Sequence, residues 1–529
     1  MKPDASIANL GWLAASLPAW RRFRRDAEDI EATQRSQLSH YLAMNKGTVF
    51  GRDHGFETLR CYEDFASAVP LRCYDDFEPL IRRIASGEEN VLTAEPVKLL
   101  EPSSGSSGAE KWIPYTKTLQ GEFNRSVAVW MAQNFLDDPR LIGGRAYWSL
   151  TPRIPRDENA GTVVPVGFDE DSAYLGGFAE RLIRRTLLAD PALARIRDMP
   201  RFWRATLVSL LACRDLRLIS VWHPSFLQLL LERMRSEWRA LLDGVRHGMC
   251  DESACFAIRG NKRRADELRS VGCDDLAYLW PQLRLISCWG DANATAGFDE
   301  VESEFPGVRV QRKGLVATEA IATLPFSGHR PLAISSHFFE FEAADGSVKP
   351  SWAAEEGEEY SLVVTTGGGL YRYRMKDRVR VVNRYGSLPS LVFLGKEDSV
   401  TDFFGEKLSE AFIVDVLEKL FRRMGVRPGF AMLAYEPELA CYTLFVEADR
   451  SIATQADNLD SGLRENPHYA LCRQLGQLHK VRISTLPGNA VEAYTNRLVE
   501  RGMRLGDIKL TALSRDTDWS RYLCPARVA

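Results

Sequence analysis

The sequence predicts an α/β protein of two domains, a large N-terminal body (residues 1–396) and a small, mobile α+β cap at the C-terminus (residues 397–529). Its 529 residues are too many for one ordinary globular domain. The middle third alternates helical stretches with short buried strands, which is typical of a layered α/β architecture. Near residue 395 the pattern changes to a mixture of helices and strands that is long enough to fold on its own.

The first domain begins with predicted helices. Residues 8–20 predict an amphipathic helix that packs on the body, and residues 28–85 predict helices separated by turns. A strand at 97–100, a Ser/Gly-rich loop at 103–108 and a second strand at 112–115 follow. The next segment is predicted to be a helix because its apolar residues recur at three- and four-residue spacing, at Phe123, Val127, Trp130, Met131 and Phe135.

The middle of the chain predicts helices at 178–188 and 225–242 and buried strands at 216–221 and 283–287. Residues 331–395 then carry short strand-like runs between Gly, Asp and Pro turns, which favours an antiparallel sheet or a small β-barrel. The runs are 338–341, 361–366, 379–382 and 391–394.

The sequence of the C-terminal domain predicts alternating helices and strands. They are a helix at 409–423, two strands around the turn at Glu436 and Pro437, a helix at 459–478, a strand at 481–486 and a helix at 491–501.

The composition excludes several classes of protein. Apolar residues make up 45% and charged residues 26%, which is the balance of a soluble globular protein and not of a disordered chain. With 68 basic against 71 acidic side chains, no global field attracts nucleic acid or anionic lipid. No segment approaches the roughly 20 apolar residues of a membrane span. The ten cysteines lack the spacing of a zinc or redox site, so they predict reduced thiols of a cytoplasmic protein.

The clearest local signal is the segment Ser103, Ser104, Gly105, Ser106, Ser107 and Gly108, which is followed by Lys111. Four hydroxyls and two glycines let the backbone approach a polyanion, and this predicts a site for a phosphate chain. The spacing of a Walker loop is missing. A flexible surface loop is the alternative, but the flanking strands and the lysine favour phosphate binding.

This segment resembles the first signature of a known family, the acyl-acid amido synthetases first described as auxin-responsive Gretchen Hagen proteins, a branch of the acyl-adenylate-forming ANL superfamily. In that family a Ser/Thr/Gly loop leads through Glu and Lys to an Ile-Pro step, as it does here up to Pro114. Similar stretches occur at 45–51, 87–93 and 506–509, so the resemblance covers nearly the whole chain. It implies a two-domain adenylate-forming fold, in which the large α/β body carries a β-barrel-like subdomain.

Two further motifs of the family imply roles for single residues. Thr318 and Glu319 match the second motif, which implies that Glu319 holds Mg²⁺ and that Thr318 faces the α-phosphate of ATP. Oxygen ligands suit this cation. Leu315 stands where relatives have an aromatic residue, and it implies an apolar contact with adenine. Asp377 ends the third motif, residues 369–377, and is assigned to the ribose hydroxyls.

Each of these motifs has a simpler interpretation. A Thr-Glu pair alone is more often a solvated helix start. As an alternating strand, the third motif sends Arg372, Arg374 and Lys376 to one face, which would be an exposed basic face.

Four more residues match nucleotide contacts of the family. Asp291 follows a predicted strand and matches the residue at the adenine edge, and Lys396 lies at the hinge, where relatives usually have Arg. Lys407 and Lys509, in the small domain, match lysines that approach the nucleotide when the cap closes. Their competing interpretation is as ordinary surface lysines.

Trp130 and His223 are candidates for the pocket of the acyl acid. The apolar residues near Trp130 and at 226–231 favour an aryl or aliphatic acid over a sugar acid. Core packing, and a hydrogen-bonded buried imidazole for His223, are the alternatives. The eight histidines form no HxxxH or HExxH pair, which disfavours a catalytic metal bound by imidazole. No GxSxG motif is present, which excludes an α/β-hydrolase.

The resemblance implies an ATP-dependent ligase whose cofactors are ATP and Mg²⁺. A carboxylate attacks the α-phosphorus, pyrophosphate leaves, and an amine, expected to be that of an amino acid, attacks the acyl-adenylate. Lys509, Lys407 and Glu319 are the candidate catalytic residues, because the first step brings anions together. Two alternatives stay open: transfer to a thiol of coenzyme A or a carrier protein, and a nucleotide-binding protein without catalysis. Neither nucleic acid nor a membrane is an expected partner.

Overall fold

The computed structural model of this chain describes residues 3–104, 110–149, 161–167, 185–188, 191–196, 198–251, 254, 256–397, 400–448, 452–503, 505 and 508–524. The chain forms two units. The first contains Met1–Val221, Leu230–Trp289 and Glu304–Phe393, and the second contains Trp222–Leu229, Gly290–Ser303 and Leu394–Ala529.

The N-terminal part of the first unit is helical, as the sequence predicts. Its helices are α1 (Pro3–Asp26), α2 (Ile30–Asn45), α3 (Val49–Asp53), α4 (Tyr62–Ala68) and α5 (Tyr74–Ala85). The side chain of Asp29 accepts a hydrogen bond from the backbone of α2, and Thr48 does the same for α3. These caps satisfy amide groups that have no partner within the first turn of a helix.

A hairpin and a long helix follow. Strand β1 (Leu99–Ser104) pairs antiparallel with β2 (Glu110–Tyr115), and the polypeptide then enters α6 (Lys117–Asp137). Trp12 of α1 packs edge to face on Phe135 of α6, with ring centroids 6.0 Å apart. The predicted N-terminal helix therefore docks on the body through its apolar face.

The middle of the chain builds a four-stranded parallel sheet. In chain order its elements are β3 (Arg145–Trp148), α7 (Met199–Ala212), β4 (Leu216–Ser220), α8 (Pro224–Ser236), α9 (Trp238–His247), β5 (Gly248–Asp251), β6 (Phe256–Arg259), α10 (Lys262–Val271), α11 (Leu276–Leu279), β7 (Leu285–Cys288), α12 (Thr295–Glu304) and β8 (Arg309–Arg312). The strand order is β3-β4-β7-β8, and all neighbouring strands are parallel. The carboxyl ends of the four strands therefore share one edge of the sheet.

The first unit also contains a five-stranded sheet. Its strands are β9 (Phe338–Glu342), β10 (Val348–Pro350), β11 (Glu359–Thr365), β12 (Tyr373–Tyr385) and β13 (Leu388–Lys396), in the order β10-β9-β11-β12-β13. Of the two predicted alternatives for this segment, the described strands form the antiparallel sheet. Residues alternate between buried and more exposed along β12, as in a strand with one face on the core.

The second unit is an α+β module. Past β13 it contains β14 (Val400–Thr401), β15 (Leu408–Ser409), α13 (Glu410–Met424), β16 (Phe430–Glu436), β17 (Cys441–Glu447), α14 (Ala456–Leu463), α15 (Pro467–Gln474), β18 (Arg482–Thr485), α16 (Ala490–Glu500), β19 (Leu513–Ser514) and α17 (Trp519–Leu523). A mixed sheet of order β18-β17-β16-β19 forms its centre. Ser409 caps α13, and Gly425 ends it in the left-handed conformation that glycine favours.

Two predicted helices are each divided in the structure. The helix predicted at 225–242 is two helices, α8 and α9, with Glu237 between them. The helix predicted at 459–478 is also two, because Asn466 caps a new helix whose first residue is Pro467. The helix predicted at 178–188 falls for the most part outside the described residues. Within the described part of the chain, no helix combines the length and apolarity needed to span a membrane.

Candidate active site

The Ser/Gly-rich segment joins the two strands of the β1–β2 hairpin. Ser103 and Ser104 are the last residues of β1, so they lie in a strand and not in a loop as predicted. Ser103 pairs with Lys111 across the hairpin, and the Lys111 ammonium lies 5.7 Å from the ring centroid of Tyr74. The rest of the segment lies outside the described residues, namely Gly105, Ser106, Ser107 and Gly108. The structure therefore brings Ser103 and Lys111 together at the end of the hairpin that carries the predicted phosphate segment.

The other end of the hairpin contacts the second predicted motif. Tyr115, the last residue of β2, donates a hydrogen bond of 2.9 Å from its hydroxyl to the carbonyl oxygen of Thr318. Thr318 and Glu319 are the central residues of a tight turn closed by a backbone hydrogen bond. Burial raises the pKa of Tyr115, so its hydroxyl keeps the proton that it donates. Tyr115 is four residues after Lys111 along β2, a distance of about 14 Å in a strand.

Glu319 lies beside the strand that carries Asp377. The hydroxyl of Tyr373 is 3.5 Å from Glu319 Oε1, and Asp377 is four residues further along β12 on the same, buried face. Burial raises the pKa of Tyr373, and the charges of Glu319 and Asp377 raise it further. The structure thus places the two predicted acidic residues near one tyrosine.

A buried network behind the Thr318–Glu319 turn was not anticipated from the sequence. The backbone N–H of Ile321 donates to His337 Nε2 at 3.2 Å, and His337 Nδ1 lies 3.0 Å from Glu122 Oε2. Glu122 also accepts from the backbone N–H of Gly367 at 3.0 Å and from the hydroxyl of Tyr41 at 2.6 Å. The sequence did contain one signal, because Glu122 lies among the apolar residues of α6. A buried carboxylate requires hydrogen-bond partners, so such a residue indicates a buried polar network.

The start of β12 is fixed by a second buried carboxylate. Arg372 makes a bidentate ion pair with Glu340, with N–O distances of 2.9 to 3.1 Å, and it also donates to two backbone carbonyls. Tyr62 donates to the same carboxylate at 3.0 Å. The alternative interpretation of the third motif, an exposed basic face that includes Arg372, is wrong for this residue because it is buried. Its φ of +48° turns the backbone out of the regular strand.

Glu319 is chemically suited to Mg²⁺. Within the described part of the chain, no three His, Cys, Asp or Glu side chains cluster as a metal site. Mg²⁺, however, is commonly bound by one or two carboxylates together with the phosphates of a substrate. A partly exposed carboxylate at the centre of a turn fits that mode of binding.

Trp130 lies at the carboxyl edge of the parallel sheet. Its indole N–H donates to Gln311 Oε1 at 2.7 Å, and its ring packs on that of Trp148, with centroids 6.1 Å apart. Trp148 is the last residue of β3 and Gln311 belongs to β8. Ligands of α/β proteins bind at this edge of the sheet, so the position of Trp130 is compatible with the predicted acyl pocket.

In the second unit, His223 and Asp291 are both buried. Ser225 approaches His223 Nδ1 with its hydroxyl at 2.7 Å and with its backbone N–H at 3.3 Å, whereas Nε2 has no hydrogen-bond partner among the described residues. Burial lowers the pKa of His223 to about 3, and the charge of Lys509 lowers it further, so the imidazole is neutral. Asp291 precedes Ala292, a residue with a φ of +51°.

The three predicted lysines of the second unit are exposed. Lys396 is the last residue of β13. Lys407 has a φ of +43° and follows Glu406, whose buried carboxylate accepts two backbone N–H groups and the hydroxyl of Tyr442. The carbonyl of Lys509 accepts a hydrogen bond from a buried tyrosine at 3.0 Å. The main chain of the last two is thus held in place, although both residues are exposed.

Comparison with known families decides the family of the chain. The model of the GH3 family N-terminal domain matches residues 19–310, more than half of the chain. The chain belongs to the GH3 family. Models of the GH3 central domain and the GH3 C-terminal domain match residues 331–396 and 429–518. The resemblance stated from the sequence is confirmed.

Among curated GH3 proteins, two from rice illustrate the similarity. The first, named "Probable indole-3-acetic acid-amido synthetase GH3.12" of Oryza sativa subsp. japonica, is 23% identical over 453 residues, covering 74% of this chain and 73% of that protein. The second, indole-3-acetic acid-amido synthetase GH3.8 of Oryza sativa subsp. indica, is 23% identical over 458 residues, covering 78% and 74%.

Solved structures show the same fold. The structure titled AtGH3.15 acyl acid amido synthetase in complex with 2,4-DB matches with a TM-score of 0.83 at 18% identity, covering 97% of this chain and 95% of that one. A 2-hydroxyisobutyryl-CoA ligase in its postadenylation state, with 2-HIB-AMP, matches with a TM-score of 0.56 at 14% identity, covering 95% and 93%. The predicted two-domain adenylate-forming α/β fold is confirmed.

Proposed function

We propose that this GH3 protein is an ATP-dependent acyl-acid amido synthetase, which activates a carboxylic acid as its adenylate and transfers the acyl group to the amine of an amino acid. The observation that carries the proposal is the set of contacts from Tyr115 through Thr318 and Glu319 to Tyr373, on the strand of Asp377. They join the hairpin of the phosphate segment to a carboxylate suited to a metal and to a second carboxylate suited to a ribose.

In the first half-reaction, an oxygen of the acid attacks the α-phosphorus of ATP, and the bond to the pyrophosphate oxygen breaks. Two anions meet in this step, so positive charge and hydrogen-bond donors are needed where charge develops. On this proposal Ser103, Ser104 and Lys111 bind phosphate oxygens together with Gly105, Ser106, Ser107 and Gly108. Mg²⁺ held by Glu319 would neutralise phosphate charge. Thr318 faces the α-phosphate.

Three further residues are proposed to bind the nucleoside. Asp377 accepts hydrogen bonds from the ribose hydroxyls, Asp291 contacts the adenine edge, and Lys396 contributes positive charge near the ribose or the phosphates. The buried position of Asp377 supports its role, because a fixed carboxylate binds hydroxyls without first having to be ordered.

In the second half-reaction, the amine nitrogen attacks the acyl carbon, AMP leaves and the amine loses a proton. Lys509 and Lys407 are proposed to act in the first half-reaction only, since an ammonium over the adenylate would hinder the approach of the amine. An exposed side chain on a small domain that moves on a hinge near Lys396 suits such a temporary role. We propose 396/397 as the boundary of that domain.

The acid and the amine are inferred by analogy. The rice relatives are named for indole-3-acetic acid, and the solved relative contains 2,4-DB, so a small acid with an apolar body is proposed here. Trp130 and His223 are proposed to bind it, and the neutral His223 would act as a hydrogen-bonding group and not as a charge. The described cysteines are free thiols, which supports a cytoplasmic location.

Pyrophosphate exchange tests this proposal. The purified protein is given ATP, Mg²⁺ and a panel of carboxylic acids, and acid-dependent exchange is expected. Amino acids are then added, and the amide is detected by mass. Nucleotide binding without exchange for any acid would contradict catalysis. A thioester formed with coenzyme A, with no amide from any amino acid, would favour the thiol alternative.

A further inference from the structure

A cavity of about 490 Å³ lies in the first unit, between the end of α1 and the turn that joins β12 to β13. Its volume falls within the range of about 300 to 1,000 Å³ that is usual for small-molecule sites. Two aromatic rings and four charged side chains line it, those of Trp20, Tyr385, Arg21, Arg24, Arg25 and Glu28. The cavity therefore has the size and the mixed lining of a binding site for a charged small molecule.

The aromatic walls of this cavity are held by the fold. The indole N–H of Trp20 donates to Gln133 Oε1 at 2.8 Å, and the ring of Tyr385 packs edge to face on Phe326, with centroids 5.0 Å apart. Gly386, with a φ of +58°, lets the turn approach the end of α1 so closely that a Cβ atom would lie 2.7 Å from a carbonyl oxygen there. A ligand meets walls that are already ordered, which lowers the entropic cost of binding.

Three arginines line the cavity from one face of α1. Arg24 and Arg25 follow Arg21 by three and four residues, and all three are exposed. Like charges at this spacing repel each other and destabilise a helix. Within the described part of the chain, Arg21 and Arg24 have no carboxylate at ion-pair distance. Arg25 lies 3.9 Å from Asp26, which also pairs with Arg22. The protein itself therefore does not fully neutralise this cluster of charge.

The helix dipole explains only part of the cluster. Basic side chains in the last turn of a helix offset a partial negative charge of about half an elementary charge at its C-terminus. Arg21 lies before that turn. The four arginines between positions 21 and 25 exceed the nearby carboxylates, Asp26 and Glu28, by two charges, and the dipole offsets only about a quarter of that excess. Positive charge therefore remains at the cavity.

The remaining positive charge suits a phosphate group. A phosphate monoester carries about 1.5 to 2 negative charges at neutral pH, and guanidinium groups bind its oxygens through paired hydrogen bonds. The Arg24 guanidinium lies 4.9 Å from the ring centroid of Trp20, and this contact restricts its orientation. A carboxylate or a sulfate ester would neutralise less of the charge, because each carries a single negative charge.

We propose that this cavity binds a phosphorylated small molecule. Arg21 and Arg24 bind the phosphate oxygens, and the rings of Trp20 and Tyr385 contact the rest of the ligand. The site goes beyond the proposed function, because it uses none of the residues assigned to ATP, to the acid or to the amine. Binding here does not depend on whether the protein forms adenylates.

Matched probes test the class of ligand. Binding of phenyl phosphate, phenyl sulfate and phenol to the whole chain is measured by calorimetry at physiological ionic strength, where salt screens non-specific attraction. Phenyl phosphate is expected to bind at least about tenfold more tightly than phenyl sulfate, because it carries more charge for the paired donors, and phenol is expected not to bind. Absence of phenyl phosphate binding, or equal affinity for the phosphate and the sulfate, would overturn the proposal.

Double variants locate the bound phosphate. Arg21→Met combined with Arg24→Met is expected to weaken phenyl phosphate binding at least about tenfold. Arg21→Lys combined with Arg24→Lys keeps the charge but loses the paired donors, and should weaken it about threefold. The control is Arg422→Met combined with Arg423→Met, which removes the same charge from the exposed last turn of α13. Urea unfolding checks that each variant is folded. Equal weakening by the two Met pairs would overturn the assignment.

The outcome is separable from that of the proposed function. Phosphate that binds at the hairpin of Ser103 and Lys111 would remain in both Met pairs, so only the difference between them is attributed to this cavity. A protein that binds phenyl phosphate here but exchanges pyrophosphate with no acid would contradict the proposed function and leave this inference standing. Exchange without phosphate binding at the cavity would do the opposite.

Discussion

The candidate residues of the two units differ in how firmly they are held. In the first unit, Glu319 and Asp377 lie beside Tyr373, and the turn of Glu319 is braced by a second tyrosine and by a buried histidine. In the second unit, the three candidate lysines are exposed, and the carbonyl of Lys509 accepts a hydrogen bond from a buried tyrosine. Groups that bind the same charges throughout a reaction gain from a fixed position, whereas a group needed in one step must be able to leave.

Backbone strain is common to both units. Eight described residues other than glycine have a positive φ, and four of them lie at the candidate motifs. These four are Ala292, beside Asp291, and Lys407 in the second unit, and Arg372 and Lys376 of the third motif in the first. Such conformations cost about 1 to 3 kcal/mol each and persist where surrounding contacts impose them, which is frequent at functional sites. Both units therefore have strained main-chain conformations at these motifs.

The largest effect is expected at the fixed carboxylate. Glu319→Gln removes the charge that would hold Mg²⁺, so kcat/KM for pyrophosphate exchange should fall about 10³-fold. A higher Mg²⁺ concentration is expected to recover part of the loss, which is measured by titrating the metal. The control is Glu355→Gln, a change at an exposed ion pair that should leave the rate within twofold. A loss of less than tenfold in Glu319→Gln would contradict the metal role.

A smaller but selective effect is expected at the exposed lysine of the second unit. Lys509→Ala should lower the rate of adenylate formation about 10²-fold, because the role proposed for Lys509 is to supply one cation to the transition state. The conversion of preformed acyl-adenylate to amide should remain close to the wild-type rate. Both half-reactions are measured separately, and Lys480→Ala, at an ion pair with Asp457, serves as the control. Equal losses in both half-reactions would refute the temporary role.

Most helices and strands of the fold could be predicted from local sequence patterns. The helix spacing in α6, the strand at β4 and the order of elements in the second unit follow from periodicity and turn residues, and the structure agrees with them. The break before Pro467 was also readable, since Asn followed by Pro is a common helix start. The break at Glu237 carries no such residue, and local sequence gives no reason for it.

The sequence predicted those residues of the site that belong to recognisable motifs. Glu319 and Asp377 were named from motifs, and the structure places both beside Tyr373. The alternative interpretation, which put Arg372 on an exposed face, is wrong for this residue, because its partner Glu340 lies 32 residues earlier and alternation along a strand does not reveal whether a face is covered. Lys313 was not singled out from the sequence, and its partner Ser220 is 93 residues away.

A third prediction concerns the tyrosine that links hairpin and turn. Tyr115→Phe removes the hydrogen bond to the carbonyl of Thr318, so the free energy of unfolding should fall by about 1 kcal/mol and pyrophosphate exchange by about tenfold. Tyr147→Phe is the matched control. Its hydroxyl is equally buried but has no hydrogen-bond partner among the described residues, so its removal should be neutral or stabilising. Equal effects of both variants on exchange would show that the turn does not depend on Tyr115.

The smallest effect on activity is expected at Asp138, which contributes to the stability of the first unit. Burial alone would raise the pKa of this carboxyl, but hydrogen bonds from Arg140 and Arg284 outweigh it and lower the pKa to about 2. Because the folded state holds the proton more weakly than the unfolded state, the carboxylate stabilises the fold above pH 4, and this contribution is lost as the pH falls towards 2. Asp138→Asn should therefore lower the free energy of unfolding by about 2 kcal/mol at pH 7, with exchange activity unchanged. Urea unfolding at pH 7, 5 and 3 checks the sign of this effect. The difference in the free energy of unfolding between variant and wild type should be constant down to pH 5 and about halved at pH 3. A difference that widens on acidification would show that these arginines do not set the charge of Asp138.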